Sequence, residues 1–394
     1  MTRFLGLLLL AALTLTPLCA RAMAPADNPQ ASTGIAADPQ AAMQGAREQV
    51  AGGDLAAAVK SLEKYVAANP EQTAPARLLG DLYYRQGNLK RAESTYDAII
   101  ARFPRDKETH NRLGSVYATE NRIDDAIAEF NHSLPGTDAV PELVRLHEIR
   151  GDLAAYVRDK ERIAESFPTD PEANIELGKV YETTHRPDLA VIYFSKALDN
   201  APDSEMAING MGLAFLDERQ YPMAIEYFER CRKHDIYGYT CTVNLGATYL
   251  EMGDLKNAER LLTNAHNLQP EQPEAIVNFG YLADLRGDWK KAVAYYVQAL
   301  SVYPYSVDAY IDLGYEYEQH KLYTLAESVL TKGLAVAPKD GRMHYILGQV
   351  LTDQGRTDLA IAQFKAATDT DDPEVKRIAQ AKFASLEDGA AKKP

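Results

Sequence analysis

The chain repeats itself every 34 residues. Six blocks begin at Pro171, Glu205, Tyr239, Pro273, Val307 and Gly341, with no insertion or deletion between them. Their seventh and eighth residues are Leu177-Gly178, Met211-Gly212, Leu245-Gly246, Phe279-Gly280, Leu313-Gly314 and Leu347-Gly348. The twentieth is always Ala: Ala190, Ala224, Ala258, Ala292, Ala326 and Ala360. Pro202, Pro270, Pro304 and Pro338 close four of the blocks. A fixed period of this length constrains the fold more than any local motif. Each block is one supersecondary unit that cannot bury both its faces alone, so neighbours must stack.

The same marks run upstream. Ala76, Leu79, Gly80, Tyr83, Ala92, Tyr96 and Pro104 make a unit starting at Thr73, and Leu113, Gly114, Tyr117, Ala126 and Phe130 make another from Lys107. Ala58, Leu62 and Pro70 mark a weaker unit from about Pro39. Between 137 and 170 the pattern degenerates: Leu143, Gly151, Ile163 and Pro168 survive, but His147 and Tyr156 stand where Tyr and Ala are expected. The total is about ten units.

Each unit reads as two helices. Leu245 and Tyr249 are four apart and share a face. Gly246 lets a second helix approach closely. Gly253-Asp254 stops the first helix and caps the second. Ala258, Leu262 and Ala265 give the second helix a stripe of its own, and Pro270 blocks its continuation. The spacing therefore predicts an all-α array of helix pairs.

This pattern resembles the tetratricopeptide repeat family over roughly residues 39–372. The resemblance implies an α-solenoid of about ten helix pairs wound in a right-handed superhelix, with a concave face built by the first helices. It also implies partner binding rather than catalysis. The N-terminal units occupy 39–136, the degenerate unit 137–170 and the six in-phase units 171–372. After them, Asp372, Pro373, Val375, Ile378, Ala379, Phe383 and Leu386 predict a capping helix over 373–387. A disordered tail over 388–394 follows.

The N-terminus differs in kind. Arg3, an apolar run from Phe4 to Leu15 and the triplet Ala20-Arg21-Ala22 read as a signal peptide over 1–22, cleaved after Ala22. A flexible linker rich in Ala, Pro, Asp and Asn covers 23–38. The protein is therefore expected to be secreted or periplasmic. A lipoprotein modified at Cys19 is the rival reading, but Pro17-Leu18 suits lipidation badly. The formal charge of −14 argues against nucleic acid as the partner.

Catalytic and metal motifs are missing from the sequence. His147-Glu148 begins an H-E-x-x-H pattern that fails at Gly151. Gly210-Met211-Gly212 begins a G-x-G-x-x-G pattern that fails at Phe215. The eight His residues form no ligand-spaced pair on one helix face. The expectation is a protein that is not an enzyme and has no cofactor and no metal site.

A helical wheel then nominates a binding surface. On each first helix the second, fifth, ninth and twelfth residues point away from the Leu-Gly-Tyr packing face. Aligned by stacking, they give an apolar row: Val243, Val277, Ile311 and Tyr345, beside Leu213, Tyr281 and Tyr315, then Leu216 and Leu250. Glu182, Glu274, Asp284, Asp308 and Glu318 flank it. Such a row is expected to meet water until a partner covers it, and the acids favour a partner segment that is basic as well as apolar. The bland alternative is that the repeat tolerates large residues here, or that the coil packs on itself or on a second copy.

The N-terminal counterpart, with Arg77, Asp81, Asn111 and Ser115, is polar. A clamp for a C-terminal carboxylate needs cations where the C-terminal units have Glu251, Glu274 and Asp284. Only Arg77, Arg85, Arg112 and Lys179 leave it open further upstream. The leading function is an exported scaffold or adaptor that holds a protein or peptide segment during assembly of an envelope or secretion complex. The alternative is a binding protein for a small apolar or glycan ligand in the same groove. Cys231 and Cys241, expected at the end of one helix and the first turn of the next, are placed either to form a disulfide or to act as small buried packers.

Overall fold

A computed structural model describes residues 38–51, 54–135, 139–233, 238–270, 272–370 and 372–391. The signal peptide, Cys19, nearly all of the linker, and residues 392–394 of the expected tail lie outside the described residues. Those described are all-α, with no strand among them. They divide into two compact units, residues 38–163 with 232, 233, 238 and 239, and residues 164–231 with 240–391.

In the N-terminal unit, α1 (Pro39–Ala51) and α2 (Leu55–Ala68) pair, as do α3 (Thr73–Arg85) with α4 (Leu89–Ile100) and α5 (Lys107–Thr119) with α6 (Ile123–Ser133). Then come α7 (Val140–Arg150) and α8 (Leu153–Ser166), whose last turn crosses the boundary between units. The C-terminal unit continues with α9 (Pro171–Thr183), α10 (Pro187–Asn200), α11 (Glu205–Asp217), α12 (Tyr221–Cys231), α13 (Gly238–Glu251) and α14 (Leu255–Leu268). It ends with α15 (Pro273–Leu285), α16 (Trp289–Val302), α17 (Val307–Gln319), α18 (Tyr323–Val336), α19 (Gly341–Asp353), α20 (Thr357–Ala367) and α21 (Pro373–Ala391). Helix α21 packs on α20 and α19, and it runs four residues past the end expected at 387.

The repeated residue types act where the chain is tightest. A Cβ added at Gly178 would come within 2.8 Å of the Phe194 ring, and one added at Gly348 within 2.8 Å of Phe364. The eighth residue of a unit is thus the floor on which the twenty-fourth lays its ring. These rings are fully buried, as are Phe130 and Phe228 at the same place. Removing such a ring leaves a cavity and costs about 3–5 kcal/mol.

The turn between the paired helices needs a left-handed residue. Gly253, Gly287 and Gly355 supply it with φ of 76°, 79° and 75°. Asn121, His185, Arg219 and Lys321 take the same position with φ of 59°, 56°, 58° and 59°. Caps hold the helix starts: Asp254 accepts from the Asn257 N–H at 3.1 Å and Asp340 from the Met343 N–H at 2.9 Å.

The degenerate segment still forms two helices because its two departures suit each other. His147 stacks on Tyr156 with ring centroids 4.2 Å apart, and its Nδ1 lies 2.9 Å from Asp152 Oδ1. One ring moved from the first helix to the second, and a smaller ring took its former place.

Candidate functional site: the first-helix faces

First helices of successive repeats touch one another in both units: α1 with α3, α3 with α5, α9 with α11, α15 with α17 and α17 with α19. A side chain that points away from its own second helix therefore meets the next first helix before it meets water. This corrects the expectation of an exposed apolar row. Val277 is 1% exposed and Val243 2%. Leu213, Leu216, Leu250, Ile311 and Tyr345 are also buried, and Tyr281 and Tyr315 are half-buried.

Leu213 and Leu216 share a cluster with Leu245, and Leu250 shares one with Leu282, on which Tyr281 packs. Ile311 and Tyr345 lie together with Met343 and Leu347, with Tyr315 packed against them. A wheel drawn on one helix holds no information about what covers that face.

The acids are drawn in too. Glu274 is buried, while Glu182, Asp284, Asp308 and Glu318 are half-buried. Burial pushes the carboxyls of Asp308 and Glu318 above the ordinary range; Arg342 opposes the rise at Asp308 and Asp353 adds to the one at Glu318. Burial likewise raises Glu251 and Asp217.

The strongest case was not singled out from the sequence. Asp312 lies one turn beyond Asp308 on α17 and one turn before the buried Glu316. Burial raises its pKa to about 8, with Asp308, Glu316 and Asp284 adding to the rise and Arg342 opposing it. Part of the residue still reaches solvent, but its Oδ2 is sealed from water and has no hydrogen-bond partner. Arg342 is 3.6 Å from Asp308 and 3.1 Å from Asp340, so its charge is already shared. The result is a pair of carboxyls on α17, Asp308 and Asp312, beside a guanidinium already shared with Asp340.

The N-terminal face is arranged otherwise. Arg77 is held by Asp106 at 2.8 Å and Glu108 at 3.3 Å. Arg112 donates to Asp81 at 2.9 Å, and the Tyr96 hydroxyl donates to the same oxygen at 2.7 Å. These two arginines are occupied by the chain's own carboxylates, so the carboxylate clamp loses them.

Three further placements bear on function. Cys231 and Cys241 are joined by a disulfide across ten positions, with Cα atoms 6.0 Å apart. His110 of α5 meets Glu129 and His132 of α6, with one ligand atom of each lying within 4.8 Å of the others. The sequence search for ligand pairs on one helix face missed this cluster because its residues come from two helices. A cleft of about 540 Å³, lined by His266, Phe279, Arg286 and Tyr295 among others, lies where α14, α15 and α16 meet rather than along the expected groove. No helix among the described residues is long and apolar enough to cross a membrane.

A family model described as "Tetratricopeptide repeat" matches residues 43–104, 77–141 and 311–374, and a second of the same description matches 171–204. Tetratricopeptide repeat protein 8 of Caenorhabditis elegans is 24% identical over 227 residues, which is 55% of this chain and 44% of that protein. Anaphase-promoting complex subunit 3 of Schizosaccharomyces pombe is 22% identical over 213 residues, covering 52% of this chain and 31% of that one. The chain thus spans less than half the length of these curated relatives. The crystal structure of yeast Tom70 aligns with 90% of this chain and 96% of that chain at 13% identity and a TM-score of 0.48.

Proposed function

Since the chain belongs to the tetratricopeptide repeat family, we propose that it is a non-catalytic scaffold whose C-terminal unit binds a protein or peptide segment along the first helices. The segment carries apolar side chains and at least one cation. The observation behind this reading is the pair Asp308 and Asp312 on α17. Burial keeps a proton on Asp312 up to about pH 8, and a cation brought by a partner to the part of this residue that still reaches solvent would displace that proton. The nine apolar residues of the row act as the packed floor under that contact rather than as its exposed surface.

The N-terminal leader supports export, and the Cys231–Cys241 bridge suits an oxidising compartment. Export together with scaffold architecture supports work in an envelope or secretion assembly. N-terminal sequencing of the native protein tests the export half of the reading; a start at Met23 is expected.

The binding half is tested by selecting peptides from a random display library on the pure, folded chain. Selected peptides should be enriched in Lys or Arg next to apolar residues. Asp312→Asn should weaken them at least about tenfold while the helical spectrum is unchanged. Selection of uncharged or acidic peptides, or affinity indifferent to Asp312→Asn, would sink the acidic-pair reading.

A further inference from the structure

We infer that His110, Glu129 and His132 form a binding site for a divalent transition-metal ion of the zinc class in the N-terminal unit. His110 Nε2 lies 3.1 Å from the carbonyl oxygen of Pro104, which can only accept, so Nε2 carries the hydrogen. In a neutral ring the Nδ1 lone pair then points at Glu129 Oε2, 2.6 Å away. Two acceptors face each other, and something positive must sit between them: a proton or a metal ion. A ring nitrogen directed at the site while the other donates to a backbone carbonyl is the arrangement that orients metal-binding histidines.

The last full repeat supplies a control inside the same chain. His344 occupies the position of His110, with Nε2 2.9 Å from the Pro338 carbonyl oxygen and Nδ1 2.7 Å from Gln363 Oε1. An amide can turn its NH₂ toward the ring and satisfy a neutral His without help. A carboxylate cannot. The third place differs as well: Ala366 stands where His132 stands in the earlier repeat. A neutral hydrogen-bonded pair therefore suffices in the later repeat, whereas the earlier one needs a proton or an ion between His110 and Glu129 and places His132 beside them.

The His132 ring lies 5.2 Å from that of His110, on the exposed side of α6. An ion held at about 2.0–2.2 Å from each donor in a tetrahedral site sets the donors about 3.3 Å apart. His110 Nδ1 and Glu129 Oε2 must therefore part slightly, and the exposed His132 ring must close in. Two imidazoles and one carboxylate suit zinc, nickel or cobalt over magnesium or calcium. A fourth position stays open to water on the exposed side.

The test uses the tag-free full chain with its disulfide intact, titrated with zinc chloride by calorimetry, with a cobalt(II) spectrum to report tetrahedral nitrogen and oxygen ligation. About one equivalent is expected, uncontested by excess magnesium. His132→Ala removes an exposed ligand, and Glu129→Gln recreates the pairing seen at Gln363, so both variants should keep the fold by circular dichroism. Each should lose zinc affinity at least about tenfold. Absence of zinc binding in the wild-type chain, or wild-type affinity in either variant, overturns the site.

Discussion

The first-helix faces of the two units carry charges under opposite rules. In the N-terminal unit each charge is answered: Arg77 by Asp106 and Glu108, Arg112 by Asp81, and Asp81 again by the Tyr96 hydroxyl. In the C-terminal unit Asp308 and Asp312 follow one another along α17; Arg342 stands 3.6 Å from Asp308, and the Asp312 Oδ2 has no hydrogen-bond partner. A half-buried charge that finds its partner within the chain is part of the architecture. One that does not is either a defect or a place kept for something else. The family repeat is the same in both halves, so the difference lies in what its variable positions were chosen to hold.

The comparison breaks hardest where an answered charge loses its partner. Asp81→Ala would leave the Arg112 guanidinium, 11% exposed in its side chain, with only the more distant Glu108 carboxylate at 3.8 Å, and the Tyr96 hydroxyl without its acceptor. A loss of about 3–5 kcal/mol is expected. Because repeat arrays unfold by neighbouring units, hydrogen exchange of α3 to α6 reads it better than a single melting curve. A change under about 1 kcal/mol would mean that these pairs are surface decoration.

Next in size is the apolar row. Val277→Ser puts a hydroxyl in a site 1% exposed, within a cluster holding Ile276, Tyr296 and Leu313. It should lower stability by about 2 kcal/mol in thermal unfolding. If stability is unmoved, the row is a surface after all, as the sequence suggested.

The acidic pair makes a pH-dependent prediction. Asp312 binds its proton more tightly when folded, at about 8, than at the ordinary 3.8 of an exposed carboxyl. Between those values the folded state holds a proton that the unfolded chain has released, so stability falls as pH rises. The contribution is whole below about 4 and lost above about 8. Asn mimics the protonated form. Asp312→Asn should therefore match the wild type below about pH 3, where the wild-type carboxyl is protonated in both states, and exceed it by about 1–2 kcal/mol above pH 8. Equal melting temperatures across that range would show that the carboxyl is solvated.

The sequence carried the fold because the repeat is a packing rule written along the chain. Leu-Gly, Ala and Pro recur at spacings that only paired helices satisfy, and α9, α11, α15, α17 and α19 begin at the first residue of their blocks. The site was less legible. A wheel drawn on one helix shows direction but not cover, so Val277 and Ile311 read as exposed although neighbouring first helices enclose them. Asp312 drew no notice because its burial depends on α15 and α19. His110 and His132 are twenty-two positions apart and meet only once α5 folds onto α6. The swap of His147 and Tyr156 was visible as two departures, but their mutual fit needed the stacked rings.

The smallest expected effect is a control on the comparison, because it should ignore which face a unit presents. Lys321 in the C-terminal unit and Asn121 in the N-terminal unit both close the turn between paired helices, each with φ of 59°. Both are exposed. An L-residue with a Cβ is penalised there by about 1–2 kcal/mol, while Gly loses about 0.5–1 kcal/mol more chain entropy on folding. The balance favours Lys321→Gly by about 0.5–1 kcal/mol. Asn tolerates the left-handed region through its own short polar side chain, so Asn121→Gly should change little. The ranking follows residue type, not position in the chain. Were Asn121→Gly to stabilise the fold more than Lys321→Gly in urea unfolding followed by circular dichroism, the turn would be sensing its unit, and the contrast between the two faces would extend beyond their charges.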